Sequence, residues 1–254
     1  MINFMVIYVM WLRELKKFVR MKSRIIGTLA MPLFFLGFMG IGFNKMSMPG
    51  IPQNINYMSF LVPGMIGMTM LFSSMFAGIS VLWDREFGFL KEIMVAPVSR
   101  VSIVLGRIAG GITTGMIQGI MILFISMFLG FKTRGIFSIF VALVFLILIA
   151  TTFIGLGLIF ASNMKDMQGF NLIMNFVIFP LFFLSGAMFP LQNLPAFVRF
   201  LAHLDPLTYG IDGLRGVLIG TSSHSIGLNL IALVVSSLLM VFLGTYFFEK
   251  NESV

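Results

Sequence analysis

The chain has 254 residues, of which 59% are hydrophobic and only 10% are charged, and its mean hydropathy is +1.04. Ordinary soluble domains are about 45–50% apolar and about 25% charged, so this composition excludes a soluble globular enzyme and a disordered chain, and it indicates a membrane protein. A net charge of +8 would suggest nucleic acid as a partner of a soluble protein. Here the basic residues cluster between apolar runs, as in cytoplasmic loops beside an anionic leaflet, so no nucleic-acid partner is expected.

Residues 1–24 predict a basic amphipathic helix that lies in the membrane interface. A simple positive anchor for the first span is the alternative, and both can hold. A signal peptide is not expected, because the apolar part precedes the basic block and no small-residue cleavage site follows. The predicted apolar face comprises Trp11, Leu12, Leu15, Phe18 and Val19, and the basic face comprises Arg13, Lys16, Lys17, Arg20 and Arg24.

Residues 25–254 are predicted to form a single domain with six membrane-spanning helices, since six stretches reach the roughly 20 apolar residues that a bilayer requires. None of the six contains Asp, Glu, Lys, Arg or His. Pro32, Pro63 and Pro180 fall inside spans and predict kinks there. The predicted spans are Ile25–Phe43, Tyr57–Trp83, Ile108–Phe131, Ile136–Met164, Phe170–Met188 and Ile226–Phe248.

The orientation of the spans follows from the lysines and arginines between them. Six spans place both termini on one side, and that side carries twelve of the 17 basic residues. Since basic loops remain cytoplasmic, both termini are predicted to lie in the cytoplasm of a cell whose plasma or inner membrane holds the chain. The five basic residues on the other side are Lys45, Lys132, Arg134, Arg199 and Arg215.

The loop at residues 84–100 carries charges of both signs around a short apolar patch, and its Glu86–Met94 stretch has helical character that Pro97 ends. Such a segment suits docking to a soluble partner, and a solvated turn between two spans is the alternative. The later loop around Lys165 is a plain connector.

The external segment at residues 189–221 is long but only weakly polar. Leu194-Pro195 predicts the start of one short helix, Asp205-Pro206 ends it, and Thr208–Leu218 predicts a second. This apolar hairpin is predicted to re-enter the outer leaflet, with a flat interfacial helix as the alternative.

Glycines recur every four residues around the third span, which allows close helix approach. The contact they make is either within the chain or between subunits. These glycines are Gly106, Gly110, Gly111, Gly115 and Gly119.

Several kinds of chemistry are missing from the sequence. Since no Gly-Lys dipeptide occurs, there is no Walker A phosphate loop, and no metal site is predicted. His203 and His224 are far apart in the sequence, and each is interpreted as a satisfied polar group. Because the spans have no ionisable residue to hold a coupling ion, any transport is expected to take its energy from outside the chain.

Two ordered blocks of sequence resemble the type-2 ATP-binding-cassette (ABC) transporter permease family. Residues 85–100, followed by Leu105-Gly106-Arg107, are similar to that family's R-E-x-G-x-L-x-x-[IL]-x-x-x-P-x-S pattern. Residues 184–195 resemble its second block, and Asp205–Tyr209 and Asp212–Arg215 follow in the expected order. Phe89 and Lys91 depart from the pattern, where the family often has Thr or Ser and Glu, so the ATPase partner is not expected to be simply exchangeable.

The resemblance implies an all-α permease subunit with six spans, an N-terminal interfacial helix, a cytoplasmic coupling helix and re-entrant external helices. Two such subunits would form a homodimer or heterodimer in the bilayer. Two separate ATPase subunits would dock beneath and bind ATP and Mg²⁺, so no cofactor is expected in this chain. Residues implied to couple to the ATPase are Arg85, Glu86, Gly88, Phe89, Leu90, Glu92 and Pro97, and those implied in the external region are Gly186, Pro190, Pro195, Asp205, Pro206, Tyr209 and Arg215.

The role implied is ATP-driven export of an amphipathic or lipid-like cargo, without catalysis by this chain. A self-sufficient secondary carrier or channel would need ionisable residues or a polar pore in the membrane. A membrane-embedded enzyme would need paired carboxylates, a Ser/His pair or a metal cluster there. A scaffold that recruits an ATPase without transport stays open on sequence alone.

Overall fold

The fold is a bundle of α-helices. The computed structural model describes residues 3–44, 49–53, 55–88, 98–164 and 166–251, apart from the side chains of Ile79, Val81, Arg85, Glu86 and Arg100. These residues form helices and turns, with no β-strand among them. The helices are α1 Phe4–Arg20, α2 Lys22–Phe35, α3 Tyr57–Glu86, α4 Arg100–Phe128, α5 Ile136–Asn163, α6 Met167–Leu184, α7 Ala196–Leu204, α8 Pro206–Leu218 and α9 Ile226–Asn251, with a π-helical turn at Leu36–Gly40 and a 3-10 turn at Leu191–Asn193.

Six helices of the described chain are long and apolar enough to cross a membrane, which confirms the predicted number. The third differs from prediction at its start, because Ser99 caps α4 by accepting a hydrogen bond from the backbone of Ser102. Arg107, predicted to precede this span, therefore lies within its helix. The six candidate spans are Lys22–Gly40, Tyr57–Asp84, Val101–Phe128, Ile136–Asn163, Met167–Leu184 and Ile226–Asn251.

Helix α3 forms the centre of the bundle. In its most apolar stretch 81% of residues are buried, against 22% in α2 and in α6, which lie at the outside. It packs closely on α5 where Gly78 meets Gly157, since a Cβ atom at Gly78 would lie 2.5 Å from the backbone carbon of Gly157. On its other side α5 packs on α9, where Gly244 approaches the carbonyl oxygen of Gly155. Backbone contact at these crossings positions α3, α5 and α9.

The predicted prolines lie inside continuous helices. Pro32 is in α2, Pro63 is in α3 and Pro180 is in α6. Downstream of Pro32 the helix changes at Leu36 to a π-helical turn.

Helix α1 packs along the first turns of α4. The backbone N–H of Asn3 donates to Ser102 (2.9 Å), and the indole N–H of Trp11 donates to Thr113 (3.0 Å). Contact partners thus advance together along both helices, so α1 runs beside α4 in the same direction. The location of α1 in the membrane interface stays a prediction.

Substituting Gly78 by Ala should destabilise the bundle, because the new methyl group would meet the backbone of α5. Overpacking of this kind costs about 1–3 kcal/mol. Thermal unfolding of the purified chain in mild detergent would measure the loss. Gly227→Ala in α9 is the matched control, since no atom lies within 4 Å of its added Cβ. Equal melting temperatures for the two variants would contradict the proposed role of this crossing.

Candidate functional site

A cluster of charges lies where α1, α3 and α4 meet, and its centre is the carboxylate of Asp84. Arg13 donates two hydrogen bonds to it, from Nη2 to Oδ1 (2.6 Å) and from Nη1 to Oδ2 (2.9 Å). Arg107 donates from Nη2 to Oδ2 (2.7 Å), and Lys17 Nζ lies 3.9 Å from Oδ1. One carboxylate therefore joins two basic residues of α1 to the ends of α3 and α4. We call Arg13, Glu14, Lys17, Asp84 and Arg107 the Asp84 cluster.

Small residues on α4 allow α1 to reach Asp84. A Cβ atom at Gly106 would lie 2.6 Å from the Cβ of Met10, and one at Gly110 would lie 2.6 Å from the Cβ of Glu14. Both glycines thus face α1 within the chain. The three other glycines singled out from the sequence face different helices: Gly111 lies against α5 and α3, and Gly115 and Gly119 lie against α3.

Burial makes the central ion pair of the Asp84 cluster energetically important. The side chains of Arg107 and Asp84 are only 2% and 4% exposed, whereas that of Arg13 is 32% exposed. A buried charge left without its partner costs several kcal/mol, while a partly exposed one is screened by solvent. Removing one partner of the pair between Asp84 and Arg107 should therefore cost more stability than removing Arg13, whose contact is better hydrated.

The remaining groups of the Asp84 cluster are only partly satisfied. Burial lowers the pKa of Lys17, while the negative charges of Glu14 and Asp84 act in the opposite direction. Lys17 also lies 5.2 Å above the ring of Trp83. Within the described part of the chain, Oε1 of Glu14 and Nε of Arg107 are buried without a hydrogen-bond partner. Buried polar atoms without partners cost stability in the low-dielectric interior.

The Asp84 cluster adjoins the loop singled out from the sequence. Helix α3 ends at Glu86, and Gly88 follows with a φ of +76°, a conformation that glycine adopts without strain. Arg85 and Glu86 lie in the last turn of α3, and the structure describes their backbone but not their side chains. Phe89, Leu90, Glu92 and Pro97 lie outside the described residues, so the coupling helix stays a prediction.

The predicted basic face of α1 divides into two sets. Arg13 and Lys17 point to Asp84, whereas Lys16 and Arg20 are exposed. Arg24 belongs to α2, because α1 ends at Arg20 and a new helix begins at Lys22. The predicted apolar face also differs: Met10, Glu14 and Phe18 are the buried residues of α1, Trp11, Leu12 and Leu15 are partly buried, and Val19 is 66% exposed. Sequence periodicity missed Glu14 because a carboxylate was not expected on a buried face.

At the opposite end of the bundle, Arg215 of α8 is buried and bonded to backbone carbonyls. Its Nη2 donates to Gly186 (2.8 Å) and Ala187 (2.9 Å), and its Nε donates to Phe60 (3.2 Å), whose ring lies 3.6 Å from the guanidinium carbon. Gly186 has a φ of +72°, which exposes its carbonyl to this contact. Burial lowers the pKa of Arg215, and the charge of Asp212 opposes that shift.

Asp212 and Arg215 lie on the same turn of α8 but bind different elements of the structure. Asp212 accepts hydrogen bonds from the backbone N–H groups of Ser223 (2.7 Å) and His224 (2.9 Å) and from the amide of Asn229 (2.9 Å) in α9. Helix α8 is thereby tied through Asp212 to α9 and through Arg215 to α3.

The two histidines meet in the structure, which their distance in the sequence did not predict. The rings of His203 and His224 are 5.4 Å apart, and Tyr209 donates to the carbonyl of His203 (2.9 Å). Pro190 and Pro195 flank the 3-10 turn before α7. In the described part of the chain, no group of three His, Cys, Asp or Glu could hold a metal ion.

Asp205 begins α8 as its N-cap, and Pro206 follows at the first helical position. Oδ1 accepts the backbone N–H of Leu207 (2.9 Å), whereas Oδ2 is buried without a partner in the described chain. Asp205 lies outside the six spans. Burial raises its pKa to about 8, which the hydrogen bond from Leu207 opposes.

Replacing Asp84 by Asn should destabilise the chain by about 3–5 kcal/mol, because Arg107 would keep a buried charge without its counter-ion. Arg13→Gln should cost less, since Arg13 is partly exposed. The pair Asp84→Leu with Arg107→Met should recover part of the loss, because no unpaired buried charge remains at Arg107. Thermal unfolding in detergent would rank these variants. Equal losses for Asp84→Asn and Arg13→Gln would contradict the ranking by burial.

The contribution of Asp205 to stability should fall as pH rises from about 4 to about 8, because Asp205 with its raised pKa holds a proton in the folded state that it releases when unfolded. Asp205→Asn keeps the capping group but cannot titrate. As pH rises across that range, the melting temperature of the variant should therefore increase relative to that of the wild type. A difference that is constant with pH would show that the pKa of Asp205 is not raised.

Comparison with known proteins supplies the family. The ABC-2 type transporter family matches residues 5–219, which confirms the resemblance carried by the two sequence blocks. The chain is 30% identical over 242 residues to "Inner membrane transport permease YadH" of Escherichia coli (strain K12), covering 93% of this chain and 90% of that protein. It is also 30% identical over 231 residues to "Nodulation protein J" of Rhizobium meliloti (strain 1021), covering 90% and 87%.

A third relative, "Putative transport permease ycf38" of Porphyra purpurea, is 30% identical over 200 residues, covering 77% of this chain and 68% of that protein. These matches extend over most of the six-helix membrane bundle. The chain therefore belongs to the ABC-2 type transporter family, as a multi-pass membrane permease.

Proposed function

We propose that the chain is one of two permease subunits of an ABC exporter, and that separate ATPase subunits drive it. The observation that carries this proposal is the family match over residues 5–219, which includes the loop that would meet the ATPase. The cargo is proposed to be amphipathic or lipid-like. A second copy or a related permease would complete the path, and ATP and Mg²⁺ would be bound by the partner.

The distribution of charge supports an outside source of energy. The sequence has no Gly-Lys dipeptide and hence no Walker A loop. In the six described spans, the ionisable side chains lie near one end of the bundle, at Lys22, Arg24, Asp84 and Arg107, or in the last turns of α9. A carrier driven by protons or sodium would hold its ion near mid-membrane, so this pattern favours a permease coupled to ATP hydrolysis.

The Asp84 cluster supplies a mechanical link for that coupling. The loop at residues 87–99 begins after the last residue of α3, Glu86, two residues beyond Asp84, and ends at Ser99, the cap of α4. Because Asp84 bonds to Arg13 and Arg107, a force on the loop would move α1, α3 and α4 together. The ATPase is proposed to push this loop on binding ATP, so that the permease halves rotate as rigid bodies.

The orientation is proposed from the basic residues. The end that holds the Asp84 cluster also carries most of the Lys and Arg of the chain, which supports a cytoplasmic position for this end and for both termini. This is the side on which ATP is available. The plasma or inner membrane is the proposed location.

Charge reversal in the loop should release the ATPase. Glu86→Lys and Glu92→Lys are expected to weaken association of the chain with the ATPase and to abolish ATP-driven transport. Reversing a charge in a docking surface replaces attraction to the partner by repulsion. The test is purification of the tagged chain from native membranes in mild detergent, with identification of the bound ATPase and measurement of ATP hydrolysis.

Lys132→Glu is the matched control, since Lys132 is an exposed charge in the loop between α4 and α5. It should leave the complex intact. Unchanged ATPase binding and transport in both glutamate variants would refute the coupling assignment. A wild-type chain that purifies without any ATPase would instead favour the carrier or scaffold.

A further inference from the structure

The contact between His203 and His224 joins α7 to the connection between α8 and α9. His203 lies in the last turn of α7, and His224 lies two residues before the start of α9. The two rings meet edge to face, with centroids 5.4 Å apart and planes at 87°. The ring of Tyr209 is 5.7 Å from that of His224. We call His203 and His224 the histidine pair.

Helix α7 is held on the bundle largely through its last turn. Ala202 is its buried residue, whereas its two phenylalanines and Leu204 are more than 60% exposed. Two side chains of α8 donate to carbonyl groups of this turn, Thr208 to that of Ala202 (2.6 Å) and Tyr209 to that of His203 (2.9 Å). A change at the histidine pair would therefore alter how α7 is held.

His224 also faces a carboxylate that its ring does not bind. Nδ1 of His224 lies 3.4 Å from Oδ2 of Asp212, yet within the described chain it is buried without a hydrogen-bond partner. The interpretation of His224 as a satisfied polar group does not hold for this ring nitrogen. Both residues line a cavity of about 110 Å³, which leaves space for the ring to turn.

Protonation would change the forces on the histidine pair. Imidazole is the side chain that ordinarily gains a proton between pH 8 and pH 5. A charged His224 would be attracted by Asp212 and repelled by a charged His203, and both forces are strong where water is partly excluded. Each of them pulls the two rings apart.

The surrounding groups do not supply a competing response to pH. In the described chain, the charged or titratable groups on the elements around the pair are Arg199 of α7, Asp205 before α8, Tyr209, Asp212 and Arg215 of α8, Tyr57 of α3, and Lys132 and Arg134 before α5, while α9 presents the neutral Asn229. The arginines and Lys132 keep their charge, and the tyrosines stay neutral, throughout the range in which imidazole titrates. Burial raises the pKa of Asp205 to about 8, so Asp205 gains its proton at higher pH than an ordinary imidazole.

We infer that the histidine pair is a pH-sensitive contact that holds α7 in place while both rings are neutral. On acidification, His224 turns toward Asp212, its contact with His203 is lost, and α7 moves away from the connection before α9. The inference rests on the proposed function in one respect: in the proposed orientation this end of the bundle faces the outside, so the contact responds to external pH.

Spin labels can measure the movement of α7, because the chain has no cysteine of its own. Phe200→Cys in α7 and Phe137→Cys in α5 place labels at exposed positions. The start of α5 is a suitable reference, since the backbone of Arg134 donates to the carbonyl of Leu218 at the end of α8 (3.0 Å). Pulsed EPR in nanodiscs gives the distance between the labels at about pH 7.5 and about pH 5.5, on either side of the ordinary titration of imidazole. An Asp205→Asn background removes the titration of Asp205.

Acidification should increase the ratio of displaced to docked α7 about tenfold, which corresponds to a tenfold difference in proton affinity between the two states. His224→Gln should abolish this increase, because glutamine stays neutral. His203→Gln should keep part of it, since the attraction between His224 and Asp212 remains. Tyr209→Phe is the matched control: it removes a hydrogen bond to α7 that does not titrate in this range. It should displace α7 more at both pH values and leave the effect of pH unchanged.

The chain has only two histidines, so isotope-labelled histidine and a tag without histidine give one set of imidazole NMR signals for each. These signals should show His224 gaining a proton over the pH range in which α7 moves. They decide the question in the wild-type chain even where a variant lowers the melting temperature.

An unchanged distance between the labels at the two pH values would overturn the inference. An unchanged response in His224→Gln, or a His224 ring that stays neutral at about pH 5.5, would overturn it as well. Nanodiscs present the same buffer to both ends of the bundle and contain no ATPase. The result is therefore independent of the orientation and of the coupling test with Glu86 and Glu92, so failure of this inference and failure of the proposed function are distinguishable.

Discussion

The contact between Asp84 and Arg107 is the interaction on which the cluster end of the bundle depends. A single carboxylate, 4% exposed, faces three cations from two other helices, and removing it would strand the buried guanidinium of Arg107. The same carboxylate holds α1 against α4, because Arg13 reaches it only while the glycines of α4 keep the two backbones close. Charge and close packing therefore depend on each other here, and neither would position α1 alone.

The opposite end of the bundle uses a similar arrangement with different partners. Asp212 and Arg215 lie one turn apart on α8. The carboxylate of Asp212 accepts hydrogen bonds from backbone groups of one segment, and the guanidinium of Arg215 donates to backbone groups of another. Backbone donors and acceptors in turns, which have no partner within a helix, are thereby hydrogen-bonded inside the protein. Apolar surroundings require this. As a result, α3, α8 and α9 are joined near one end and α1, α3 and α4 near the other. Helix α3 is common to both groups and connects the two ends of the bundle.

Hydropathy predicted the spans well because a bilayer demands long apolar helices whatever their neighbours are. The start of α4 was placed too late, since a rule based on uncharged stretches excludes Arg107 and has no means of knowing that Asp84 neutralises it. The Asp84 cluster was missed for the same reason: its members are 71 and 23 residues from Asp84, and only the packed fold brings them together. The contact between His203 and His224 is equally non-local. By contrast, Asp205 and Pro206 were recognised as a helix boundary, because capping is a local property of the chain.

Trp83 connects two features that the sequence did not foretell. Its ring forms part of the wall of a cavity of about 560 Å³ between α2, α3 and α6 and also lies under the ammonium group of Lys17, which in turn is 3.9 Å from Asp84. Burial lowers the pKa of Lys17, and the negative charges of Glu14 and Asp84 oppose that shift. The ionic network thus lies between the cavity and the loop that follows α3, and it links them through a few adjacent side chains.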